Sequence, residues 1–154
     1  MTIEDDIAFM ERVPSLRRLG GSALRILAIG AESYAVDSGQ VLFGAGEAAD
    51  CAYIIQHGSF ALKPERPTDG EVIAEPGTLL GESALLAETL RPATATARED
   101  AVVLRISRAM FLKMLESYPD AASRLRELIV SRADEWAREL DNVRAGLARG
   151  TGPQ

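Results

Sequence analysis

One stretch of this 154-residue chain gathers residue types able to do chemistry together: Leu80-Gly81-Glu82-Ser83-Ala84-Leu85-Leu86-Ala87-Glu88-Thr89-Leu90-Arg91-Pro92-Ala93-Thr94-Ala95. Gly81 permits a tight turn, and Glu82 through Ala87 can form a single helical turn. The first N–H groups of such a turn lack intrahelical acceptors and favour an anion. Arg91 lies just past it, where its planar donor fork can fold back over the same spot and take a pair of phosphate oxygens. Glu82 is placed to accept from a sugar hydroxyl beside that phosphate. The pattern therefore suits a sugar-phosphate. The competing explanation is an ordinary exposed Glu82–Arg91 ion pair, worth at most about 1 kcal/mol.

Other candidates are weaker. Cys51 flanks a predicted strand and reads as a small buried filler, with no neighbouring Lys or His cluster to activate its thiol. His57 precedes Gly58 and reads as a turn residue. Glu4, Asp5 and Asp6 suit the start of a helix better than a catalytic pair. No nucleophile elbow, Walker-type loop or paired catalytic carboxylates occur, so an enzyme is not expected. A single Cys and a single His argue against a disulfide framework, an iron–sulfur cluster or a multi-His metal centre. The formal net charge of −6 gives no global attraction to nucleic acid or anionic lipid. The chain starts without a basic leader and has no spanning apolar run, so a cytoplasmic protein without membrane contact is expected.

The elements that must position the motif follow from periodicity. Ile7, Met10, Val13 and Leu16 recur at helical spacing, broken by Pro14 and by Gly20-Gly21. Ser22 is the expected cap of a second short helix ending near Gly30. From Tyr34 the period becomes two: Val41/Phe43, Tyr53/Ile55, Phe60/Leu62, Val72–Ala74, Ala93/Ala95/Ala97 and Val102/Leu104/Ile106, with Gly-rich turns between. Ser107 should cap a further helix through Phe111 and Met114, interrupted at Tyr118-Pro119. A long helix follows from Asp120 to about Ala148, striped by Leu125, Ile129, Trp136, Leu140, Val143 and Leu147. The reading is one mainly β domain over residues 1–148. It has helices at about 3–29, an eight-stranded jelly-roll barrel at about 34–106, helices at about 107–148 and a loose tail at 149–154. That length is enough to bury roughly 68–70% of the unfolded surface.

The motif resembles the phosphate-binding cassette of the cyclic nucleotide-binding domain family, which includes catabolite activator proteins and the regulatory subunits of cyclic-AMP-dependent kinase. Leu80-Gly81-Glu82-Ser83-Ala84-Leu85 matches the first half of the cassette and Arg91-Pro92-Ala93-Thr94 the second. Val41-Leu-Phe-Gly-Ala-Gly46-Glu and Ala52-Tyr-Ile-Ile-Gln-His-Gly58 resemble the first barrel signature. The resemblance spans about residues 5–145. It implies a regulatory module that binds cyclic AMP in preference to cyclic GMP, without other cofactor or metal. Glu82 would hold the ribose 2′-hydroxyl and Arg91 the cyclic phosphate, while the backbones of Gly81, Ala84 and Leu85 line the pocket and Trp136 or Leu140 caps the base. Ser83, Pro92 and Ala93 complete the candidate site.

One departure matters. Relatives usually follow the arginine with a residue whose N–H meets the phosphate, and Pro92 has none. Losing one charge-assisted hydrogen bond costs about 1.5–3 kcal/mol. An alternative is therefore a domain of this fold that has lost its nucleotide and serves as an interaction or dimerisation scaffold. With only a short tail after Ala148, a DNA-binding module is not expected. The partner is instead expected to be another protein, or a second copy, met through the C-terminal helix.

Overall fold

A computed structural model describes residues 2–66 and 70–128. Three helices open the chain: α1 (Ile3–Glu11), α2 (Pro14–Arg17) and α3 (Gly21–Gly30). Thr2 closes a capping box on α1, accepting from the Asp5 N–H while the Asp5 carboxylate accepts from the Thr2 N–H, and Glu4, Asp5 and Asp6 occupy the first turn. Pro14 starts α2, where its missing N–H costs nothing. The expected Ser22 cap is corrected. α3 begins two residues earlier, capped at Gly20 with φ +90° and no side-chain cap. A left-handed Gly20 turns the chain more sharply than a serine cap would allow.

Among the described residues ten strands follow: β1 (Glu32–Val36), β2 (Val41–Phe43), β3 (Ala48–Ala49), β4 (Cys51–His57), β5 (Phe60–Pro64), β6 (Val72–Ala74), β7 (Leu79–Leu80), β8 (Thr89–Leu90), β9 (Ala93–Ala97) and β10 (Ala101–Ser107). Eight of them make two antiparallel four-stranded sheets, ordered β1-β10-β4-β7 and β2-β9-β5-β6. The remaining pair, β3 and β8, forms a separate two-stranded ladder. This is the jelly roll expected, except that the sheets do not join into a closed ring.

The alternation along β4 and β10 divides the interior in two. Ile55 and Val103 face the second sheet, in a core with Phe43, Phe60, Leu80 and Ala95. Ala52, Ile54, Leu104 and Ile106 point the other way, into a core with Leu16, Leu24, Leu27 and Phe111 from the helices. Within the first sheet β4 and β10 are thus buried on both faces, while the edge strand β1 is exposed along most of its length. Gln56 donates to Asp6 at 2.6 Å and fastens α1 to β4.

Ser107 caps α4 (Arg108–Ser117) by accepting from the Met110 N–H. The chain is helical again over 119–128, and Ala121 and Leu125 are buried in the helical core. Arg124 donates to the carbonyls of Arg18 and Leu19 at 2.7 and 2.8 Å, tying this helix to the α2–α3 corner. The rest of the expected stripe (Ile129, Trp136, Leu140, Val143 and Leu147) and the tail at 149–154 lie outside the described residues. Among the described residues no helix is long and apolar enough to cross a membrane.

Candidate functional site

Arg91 joins β8 to β9, and its backbone is fixed on both sides. Its N–H donates to the Glu47 carbonyl and its carbonyl accepts from the Gly46 N–H, each at 2.8 Å, while Ala45 donates to the Thr94 hydroxyl at 2.9 Å. The Gly44–Glu47 turn between β2 and β3 therefore clamps the segment. From there the Arg91 side chain runs inward and is only 5% exposed.

Its guanidinium carbon lies 4.4 Å from the centroid of the Phe43 ring and 5.6 Å from that of Tyr53, two rings stacked 6.0 Å apart. Such contacts contribute about 0.5–2 kcal/mol each. Nη2 donates to the Cys51 sulfur at 3.3 Å. Nη1 is buried without a hydrogen-bond partner. Among the described residues the ion pairs are Arg25–Glu4, Arg105–Glu32 and Arg105–Asp50, and none involves Arg91. A buried cation held only by ring faces and a weak sulfur acceptor is electrostatically incomplete, because its desolvation costs several kcal/mol. An anion would complete it. The exposed Glu82–Arg91 ion pair weighed above is not what the structure contains.

Gly81 lies directly over this guanidinium. At φ +82° it starts a 3₁₀ turn, Glu82–Leu85, shorter than the Glu82–Ala87 turn expected. A methyl group here would collide with Arg91 and press on the Cys51 carbonyl, so both conformation and space require glycine. Four residues support no appreciable helix dipole, so only individual N–H groups can serve an anion. Ala84 already donates its own to the Gly81 carbonyl at 3.0 Å.

The other candidates are placed as follows. Glu82 is half-buried beside Gly81 and borders a narrow crevice with Ser15, Leu16, Phe111 and Leu125. Ser83 and Pro92 are exposed. Ala84 is fully buried, and Leu85 packs in the helical core. Ala93 opens β9 opposite Pro64. His57 is exposed at the end of β4, before Gly58 at φ +81°. Among the described residues no three His, Cys, Asp or Glu side chains gather as metal ligands.

Sequence reasoning missed the cradle: Phe43, Tyr53 and Cys51 around Arg91, and Arg108 beneath the 3₁₀ turn. Arg108 donates to the carbonyls of Ala49, Ala84 and Ala87 at 3.2, 3.3 and 2.9 Å, holding the turn to β3 and α4. The alternation that turns Phe43 and Tyr53 inward is visible in the sequence, but nothing local announces a cation between them. Burial, then hydrogen bonding to Cys51, pushes the Tyr53 phenol up to about 12.

A profile of the cyclic nucleotide-binding domain matches residues 35–118, which contain the clamp, the 3₁₀ turn and the buried arginine. The chain belongs to this family. Among solved structures, the cyclic nucleotide-binding-like protein of Brucella abortus is 41% identical with a TM-score of 0.65, covering 73% of this chain and 98% of that one. An uncharacterised NTE family protein of Mycobacterium tuberculosis is 38% identical over 113 residues, covering 71% of this chain. The lysophospholipase NTE1 of Chaetomium globosum is 31% identical over 100 residues, 63% of this chain. The chain spans 19% of the mycobacterial relative's length and 7% of the fungal one's. This cyclic nucleotide-binding domain thus matches one module of much longer proteins.

Proposed function

We propose that this domain binds cyclic AMP as a regulatory ligand, with Arg91 meeting the cyclic phosphate. The buried guanidinium with an unpartnered Nη1 and no carboxylate at ion-pair distance among the described residues carries this reading. A cyclic phosphodiester bears one negative charge, which matches one uncompensated cation. Glu82 accepts from the ribose 2′-hydroxyl, and Gly81, Ser83, Ala84, Leu85 and Ala93 supply the surrounding wall. Pro92 offers neither an N–H nor the hydroxyl that would favour cyclic GMP. Occupancy is relayed to a protein partner through the 3₁₀ turn and the helices packed on it. The names of the longer relatives favour a lysophospholipase-type catalytic unit as that partner. Calorimetry with cyclic AMP and cyclic GMP on the wild-type chain and on Arg91→Ala tests the binding. Heat with cyclic AMP that disappears in the variant is expected; no heat at millimolar nucleotide rejects the reading.

A second reading is a scaffold without nucleotide. It is favoured by Pro92, and by Phe43, Tyr53 and Cys51 already occupying part of the guanidinium. Pro92→Ala separates the two, because restoring one N–H should tighten a working site by about one to two decades and leave a dead one unchanged. Sedimentation of a nucleotide-independent dimer would favour the scaffold.

A further inference from the structure

The Cys51 sulfur lies against the buried Arg91 guanidinium. Cys51 alternates with Tyr53 and Ile55 along β4, which turns its side chain toward Arg91 rather than toward the helices. Nη2 of Arg91 donates to it at 3.3 Å, and the cross-strand pair Tyr53 and Arg105 lies on the same face of the sheet. A neutral thiol is a weak acceptor, so the Arg91 guanidinium offers more than it can use. Independently, Nη1 of Arg91, on the same guanidinium that touches the sulfur, is buried and unpartnered. The surroundings that a thiol underuses are those an anionic sulfur acid would need.

We propose that Cys51 is a peroxide-modifiable residue whose sulfinate form becomes an internal partner of Arg91 and excludes the nucleotide. The exclusion rests on the nucleotide reading above; the modification does not. In the first step the Cys51 thiolate attacks hydrogen peroxide. An S–O bond forms, the O–O bond breaks, sulfur gives up two electrons, and the departing oxygen leaves as hydroxide. That hydroxide takes the proton of the sulfenic acid, a second peroxide repeats the step on the sulfenate, and the second hydroxide takes the sulfinic acid proton to leave water and sulfinate. Two peroxides are consumed and four electrons leave the sulfur. The sulfinate oxygens then reach Nη1 and replace an external phosphate with a covalently held anion. Cys51 is 2% exposed, which limits the oxidant to a small uncharged molecule. A cavity of about 310 Å³ is bordered by Arg105 and by Tyr53, two residues along β4 from Cys51.

The test treats the wild-type chain, Cys51→Ser and Arg91→Met with hydrogen peroxide and follows Cys51 by peptide mass spectrometry. Methionine keeps the bulk of Arg91 while removing its charge. Two added oxygens on Cys51 are expected, appearing about tenfold more slowly in Arg91→Met. Cyclic AMP affinity should fall by at least about tenfold after oxidation of the wild type, and stay unchanged by peroxide in Cys51→Ser. Circular dichroism confirms the fold of each variant, and Cys51→Ala replaces a serine variant that fails to fold. No oxygen on Cys51, or oxidation at the same rate without Arg91, overturns the modification. Equal nucleotide affinity before and after oxidation overturns the exclusion. A reduced wild type that never binds nucleotide refutes the nucleotide reading and the exclusion with it, while the rate comparison still decides the modification.

Discussion

Replacing Arg91 by methionine should make the ligand-free protein more stable while removing its ability to bind an anion. The guanidinium is 5% exposed and faces no carboxylate at ion-pair distance among the described residues, so it bears a desolvation cost of several kcal/mol, taken here as about 5. Against this stand about 1–2 kcal/mol for Phe43 at 4.4 Å, about 0.5 for Tyr53 at 5.6 Å and about 0.5–1 for the sulfur contact. The contacts recover about half of the cost. Methionine loses the cation but keeps an unbranched side chain against the two rings, with a sulfur–aromatic contribution of about 0.3–1.5 kcal/mol. The net expectation is a gain of about 1–3 kcal/mol, or a rise in Tm of about 3–10 °C for a chain of this size. Urea denaturation, with its slope compared between the proteins, measures this directly. In calorimetry the same variant should lose the two charge-assisted hydrogen bonds of an arginine–phosphate pair, about 3–6 kcal/mol and so at least two decades of affinity. A variant less stable than wild type by more than about 1 kcal/mol would mean that Arg91 is a structural pillar, and the reasoning from an incomplete cation would fail.

Three further outcomes follow from the same geometry. Gly81→Ala should cost about 1–2 kcal/mol in urea, from the left-handed backbone at φ +82° and the collision with Arg91, and should weaken nucleotide binding measured calorimetrically. Arg108→Leu should destabilise by about 1.5–3 kcal/mol, because the carbonyls of Ala49, Ala84 and Ala87 lose a shared donor; an unchanged midpoint would show those contacts to be idle. Tyr53 ionises near 12 in the fold against 10.0 ordinarily, so the native state favours the protonated phenol. Its stabilisation is complete below pH 10 and is lost as pH rises from 10 through about 12, a decline that Tyr53→Phe should flatten in alkaline unfolding curves.

The long strands were legible because a period of two extends far enough to be read. β4 and β10 alternate over seven residues each, and that alternation yields both the barrel core and the face that receives the helices. β3, β7 and β8 hold two residues each and have no period, so their pairing is decided by the clamp around Arg91 and by the neighbouring strands. The Ser22 expectation failed because a serine before an apolar run is a local signal, whereas the turn at Gly20 is set by the corner that Arg124 closes from a hundred residues away. At the site, the types and spacing of Gly81, Glu82 and Arg91 carried the motif. The cradle was illegible for the same reason as the corner: Cys51 and Arg91 are forty positions apart and meet only once β4 and the clamp are formed.

The 3₁₀ turn connects two environments that are otherwise separated by a sheet. Its first end, Gly81, touches the Arg91 guanidinium, and its last residue, Leu85, lies in the helical core with Phe111 and Leu125. Close-packed interiors transmit displacement rather than absorb it, so an anion that moves Gly81 must also move Leu85 or strain the turn. The size of any response is bounded. Converting a population from 1:99 to 99:1 needs about 5.5 kcal/mol of differential affinity. Two charge-assisted hydrogen bonds supply about 3–6 kcal/mol in total, and only the part that differs between arrangements counts. A single phosphate on Arg91 can therefore switch the helices only if the ligand-free chain is already near balance between its arrangements. Arg108 bears on that balance, since it fastens the carbonyls of Ala84 and Ala87 to the start of α4. Hydrogen exchange along α4, with and without saturating cyclic AMP, should differ in the wild type and lose that difference in Arg108→Leu. Equal ligand-induced protection in the two proteins would mean that the turn reaches the helices by packing through Leu85 alone.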